Sequence, residues 1–116
     1  MKTIDITIDC REPERLADFW AAALGYDKVE VVGDWAFLSR GDSSLPKLLL
    51  QPVPEPKTVK NRVHLDIMTP DIEGEASRLE ALGARRIEAG SRSEDGFHWI
   101  VMADPEGNEF CVADGP

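Results

Sequence analysis

The sequence predicts an α+β fold of two tandem βαβββ modules that form a curved, mostly antiparallel sheet with helices on its outer face. Three observations carry this. A strand, a helix and three short strands succeed one another twice along the chain. Leu24-Gly25 in the first half matches Leu82-Gly83 in the second, each pair standing where a helix must stop. Alternate prolines from Pro52 to Pro56 remove amide donors and make a semi-rigid connector between the halves. Module one then covers 1–52, the linker 53–61 and module two 62–116, in one domain whose halves are each too small to be stable alone. A ferredoxin-like sandwich also mixes strands with two helices, but the order of elements favours the duplicated unit.

The elements follow in order. Ile4, Ile6 and Ile8 alternate with Asp5, Thr7 and Asp9, the period of a strand with one buried face. Pro13 suits a first helical turn, and Leu16, Phe19, Trp20, Ala23 and Leu24 recur at helical spacing up to Gly25. Val29 to Val32, Trp35 to Ser39 and Lys47 to Gln51 read as short strands divided by Gly33-Asp34 and by Gly41 to Pro46. In the second half Val63, Leu65 and Ile67 alternate with His64, Asp66 and Met68, and Thr69-Pro70 offers a cap followed by proline. A helix with apolar Ile72, Ala76 and Leu79 runs to Gly83, and Ala84 to Ala89, Phe97 to Ala103 and Glu109 to Ala113 supply three more strands.

Composition narrows the function. Hydrophobic residues make up 42% and charged residues 30% of the 116, ordinary globular usage that excludes a disordered chain. The net charge of −9 opposes approach to phosphate backbones and anionic lipid, so nucleic acid and membrane surfaces are not expected partners. Without an apolar leader or a bilayer-length stretch, the expected compartment is the cytoplasm. Cys10 and Cys111 lie far apart without a CxxC, which leaves two buried thiols as the simplest reading. No Ser-His-Asp arrangement, P-loop or dinucleotide fingerprint is present.

Alternation sets out the face that carries chemistry. Asp5, Thr7 and Asp9 share one side of their strand, as do Lys47, Leu49 and Gln51, as do His64, Asp66 and Met68, and as do Glu109, Cys111 and Ala113. Leu48, Leu50, Phe110 and Val112 then pack on the helices. Such a sheet is either a ligand site or simply a sheet with one wet face. Trp35, Phe37, Phe97 and Trp99 are candidate pocket walls or plain core, and His98 falls on the side opposite Phe97 and Trp99.

Asp9 to Tyr26 (DCREPERLADFWAAALGY), Asn61 to Asp71 (NRVHLDIMTPD) and Asp104 to Val112 (DPEGNEFCV) together resemble the vicinal oxygen chelate superfamily, which includes glyoxalase I, bleomycin-resistance proteins and extradiol dioxygenases. The resemblance is strongest to its small glyoxalase-like branch and covers nearly the whole chain. It implies a homodimer and a small-molecule ligand in a cupped sheet. Metal-binding members place four ligands on the first and last strands of each half, positions that fall here on Asp5, Leu49, His64 and Cys111. Leu49 cannot bind a metal and Cys111 replaces the usual Glu, so the family set is incomplete, and Glu109 and Gln51 lie two residues out of register. Asp5, His64 and Cys111 are a chemically sound three-ligand alternative, since carboxylate, imidazole and thiolate all ligate zinc.

The leading expectation is therefore a protein that binds a small metabolite or xenobiotic through Asp5, Thr7, Gln51, His64, Asp66, Trp99 and Cys111, with no metal, its acidity suited to a cationic drug. The alternative is a divalent-metal-dependent lyase, isomerase or dioxygenase (Zn, Ni, Fe or Mn) in which Glu109 or His98 moves a proton. A dimer with a purely structural or regulatory task is the third reading.

Overall fold

The structure, a computed structural model, describes residues 2–115. It divides into two compact units, residues 1–57 and 58–116, and each carries its own mixed sheet with one helix. No helix among the described residues is long and apolar enough to cross a membrane.

In the first unit the elements are β1 (Asp5–Cys10), α1 (Pro13–Leu24), β2 (Lys28–Val32), β3 (Trp35–Ser39) and β4 (Lys47–Pro52). The sheet order is β1-β4-β3-β2, with β1 parallel to β4 and the other pairs antiparallel. Leu16, Ala17, Phe19 and Trp20 of α1 are buried, and so are Ala36, Leu38, Leu48 and Leu50 of the strands on which the helix packs. Burial of each larger side chain contributes about 1.5–3 kcal/mol. Gly25, at φ 76°, ends α1 in the left-handed conformation that a Cβ disfavours, and Arg40 Nη1 donates to its carbonyl at 2.7 Å, answering one orphan acceptor of the helix end. The alternation holds for Ile6 and Ile8, which are half-buried, but Ile4 is 70% exposed because it precedes the strand and nothing pairs it into the sheet.

The second unit contains β5 (Asp66–Met68), α2 (Ile72–Ala81), β6 (Arg85–Arg86), β7 (Arg92–Glu94), β8 (Phe97–Ala103) and β9 (Glu109–Asp114). Its sheet runs β5-β9-β8-β6, again with the first pair parallel, and β7 pairs with the other end of β8. Ala76 and Leu79 of α2 are buried, as are Ile100, Met102, Phe110 and Val112 of the sheet beneath.

Four expectations need correction here. Val63 lies outside the strand and is 81% exposed, because regular pairing with β9 starts only at Asp66 opposite Cys111. The cap of α2 is Asp71 rather than Thr69: Asp71 Oδ1 accepts from Gly74 N at 3.0 Å, while Thr69 Oγ1 accepts from Asp71 N one step earlier. The helix ends at Ala81, two residues before Gly83. The strand expected over Ala84 to Ala89 is only Arg85–Arg86, since Gly90 at φ 76° turns the chain, which re-enters the sheet as β7. The turn from β7 to β8 is Asp95-Gly96, both at positive φ (52° and 83°), the geometry of a two-residue hairpin loop.

The turn between β8 and β9 explains the Asp-Pro-Glu-Gly-Asn motif. Asp104 is buried, and its Oδ1 accepts from Glu106 N and Asn108 N at 2.9 Å while Oδ2 accepts from Asn108 Nδ2 at 3.0 Å. A buried carboxylate so supplied with donors holds the tight turn shut.

Candidate functional site

Register determines what stands on the open face of each sheet. In the first unit Thr7 pairs with Leu49, Asp9 with Gln51 and Phe37 with Leu49, so the predicted Asp5, Thr7 and Gln51 share one face with the stacked rings of Trp35 and Phe37, 6.1 Å apart. In the second unit Asp66 pairs with Cys111, Val101 with Cys111 and Trp99 with Ala113. Leu48, Leu50, Phe110 and Val112 are buried on the opposite side, as alternation requires.

The open face of the second unit holds a pocket of about 680 Å³. Its apolar wall is Phe97, Trp99 and Val101, and Phe97 remains 43% exposed. Gly115 makes room for that ring: a Cβ there would meet Phe97 Cδ1 at 2.2 Å. The polar end gathers the predicted His64, Asp66 and Cys111, while Lys60, Arg92, Glu94, Asp95 and Glu109 complete the charged lining. Thus the structure brings His64, Asp66, Trp99, Cys111 and Glu109 around one hollow, whereas Asp5, Thr7 and Gln51 belong to the sheet of the other unit. His98 stands on the face opposite Trp99, beside Asp114 in register, and is not among the lining residues.

Arg92, Glu94 and Asp95 escape the sequence reading because β7 does. The signal that marks them is the Asp95-Gly96 dipeptide, a strong hairpin former that places its flanking residues in paired strands.

Side-chain chemistry sorts the polar residues. His64 Nε2 lies 3.1 Å from Asp66 Oδ1. Cys111 donates to the same carboxylate, and its thiol is pushed up to about 11, first by burial and then by the Asp66 charge, with Lys60 and Arg92 pulling the other way. At neutral pH it is therefore a protonated donor rather than a nucleophile. Glu109 accepts from Lys60 Nζ at 2.7 Å and from Asn61 N at 2.9 Å, while Asn61 Nδ2 donates to the Glu109 carbonyl at 3.0 Å. Both carboxylate oxygens are engaged, and the residue straps the segment ahead of β5 onto β9.

The metal that the family implies can be tested against these donors. Of the four family positions, Leu49 offers no ligand atom and Cys111 stands where the usual ligand is Glu. The four-ligand set does not fit this chain, whereas His64, Asp66 and Cys111 have ligand atoms that all lie within 4.8 Å of one another.

Two βαβββ units, the second with one strand broken into β6 and β7 along β8, each with the first strand parallel to the last and an open face away from its helix, define a protein of the vicinal oxygen chelate fold class. The glyoxalase-like domain family matches residues 5–113, and the chain belongs to it. Among solved structures, it is similar to a glyoxalase/bleomycin resistance protein/dioxygenase family enzyme from Burkholderia phytofirmans PsJN (TM-score 0.76, 16% identity, covering 97% of this chain and 100% of that one). The fosfomycin resistance protein FosX of Listeria monocytogenes has a TM-score of 0.76 at 12% identity, over 100% of this chain and 94% of that one. Lactoylglutathione lyase from Agrobacterium tumefaciens has a TM-score of 0.67 at 16% identity, over 98% and 93%. No curated protein sequence matches the chain significantly. At these identities the likeness is one of fold.

Proposed function

We propose that the chain binds a small, partly apolar, positively charged metabolite or xenobiotic in the pocket of its second unit, as a glyoxalase/bleomycin-resistance-like binding protein. The pocket carries this reading. Its volume of about 680 Å³ suits a small molecule, and the Phe97 and Trp99 rings offer apolar contact and π-faces to a cation. Asp66, Glu94, Asp95 and Glu109 outnumber Lys60 and Arg92 in the lining, and the chain as a whole carries −9, so the field favours a cation over an oxyanion. Titration calorimetry with a cationic glycopeptide, an aromatic quaternary amine and an aromatic carboxylate tests it. The cations should bind and the carboxylate should not, and Trp99→Ala should abolish the binding. Preference for the carboxylate, or binding indifferent to Trp99→Ala, would overturn the reading.

The second reading is a divalent-metal-dependent lyase, isomerase or dioxygenase, and the juxtaposition of His64, Asp66 and Cys111 favours it. Turnover of a screened substrate that appears only with added metal is its signature. In either reading we expect a cytoplasmic homodimer, which analytical ultracentrifugation of the purified chain checks.

A further inference from the structure

We infer that His64, Asp66 and Cys111 form a three-donor site for a thiophilic divalent ion, zinc in character, built wholly within the second unit and independent of the family's ligand positions in the first. Three features of the geometry lead there. Asp66 is the register partner of Cys111 on the neighbouring strand, and His64, just ahead of β5, brings its Nε2 to 3.1 Å from Asp66 Oδ1. The ligand atoms of all three lie within 4.8 Å of one another. Zinc bonds of roughly 2.0–2.3 Å at tetrahedral angles place ligand atoms some 3–4 Å apart, so the set needs a small closure only. That closure falls to His64 and Asp66, whose side chains are about half exposed (48% and 50%), while Cys111 is held in the sheet.

The donor types choose the ion. A thiolate beside an imidazole suits zinc or cobalt, whereas magnesium and manganese prefer sites made of oxygen ligands. On binding, the ion displaces the Cys111 proton to solvent, and carboxylate and thiolate then balance a divalent charge. Three protein donors leave a tetrahedral position open, as in catalytic rather than structural zinc sites. All three residues line the pocket, so that position faces the same hollow.

Metal-free protein titrated with cobalt(II), with no organic ligand present, tests this. The expected result is one equivalent bound, a near-ultraviolet sulfur-to-cobalt charge-transfer band, and a rise in melting temperature with zinc that magnesium and manganese do not reproduce. Cys111→Ser should remove the band, and Asp66→Asn and His64→Gln should each weaken binding, while Asp5→Asn should leave it unchanged. Since Asp66 and His64 are half exposed, their variants keep the fold if Cys111→Ser does not. Cobalt binding without the charge-transfer band, sensitivity to Asp5→Asn, or no binding at all would overturn the inference. None of these outcomes bears on uptake of an organic cation by the metal-free pocket.

Discussion

The enclosure of Cys111 makes a sharp prediction about its reactivity. In a Cys10→Ser background, kept metal-free by chelator, Cys111 is the single thiol. Its value near 11 against an ordinary 9.0 is a difference of two units, so at pH 8 the thiolate is about a hundredfold scarcer than in an exposed cysteine. Iodoacetamide should therefore modify the folded protein about a hundredfold more slowly than the unfolded chain, and the rate should keep climbing past pH 10. The pH profile separates ionisation from mere shielding, which slows the reaction without moving its inflection. Asp66→Asn should move the inflection down only part of the way, because burial is the larger cause and Asp66 the smaller. The same shift has a stability consequence. A thiol raised in the folded state is protonated in both states below pH 9, so it exerts no pH dependence there; as pH rises from 9 towards 11 the unfolded chain ionises first, and stability falls by at most roughly 3 kcal/mol. Cys111→Ala should flatten that alkaline decline. An inflection near 9 in the folded protein, or an upward move in Asp66→Asn, would refute the reasoning.

Other outcomes follow from the same contacts. Asp104→Ala removes the acceptor for two backbone N–H groups and the Asn108 amide inside a buried turn, and urea unfolding should show a loss of about 3 kcal/mol. Asp71→Ala deletes the side-chain cap of α2 and should cost about 1 kcal/mol in the same assay. Gly115→Ala forces the Phe97 ring off its seat, so affinity for a cationic aromatic ligand should drop severalfold by calorimetry while the melting temperature changes little, since Phe97 is an exposed side chain that can swing away. Neutralising the strap with Glu109→Gln should loosen residues 60 and 61, read as faster amide hydrogen exchange at Asn61.

Local sterics explain how much of this was legible in one dimension. Alternation within a strand depends only on neighbouring residues, which is why the sequence alone assigns Leu48, Leu50, Phe110 and Val112 to the core, and Glu109, Cys111 and Ala113 to the other face. The same holds for helix α1, whose proline start and glycine stop are both local devices. The strand β7 was equally local in its signal, Asp95-Gly96, but its residues Arg92, Ser93 and Glu94 are polar throughout and carry no apolar alternation to mark them.

What the amino-acid order determined, then, was the duplicated unit and the parity of its strands, because both arise from short-range preferences. What only the tertiary structure decided was company: that Asp66 stands against Cys111, and that Glu109 spends its carboxylate on Lys60 and Asn61 nearly fifty residues away in the chain. Those pairings depend on which strand lies next to which and in what register, and hydrogen bonds between distant segments set that, through no property of either segment taken alone.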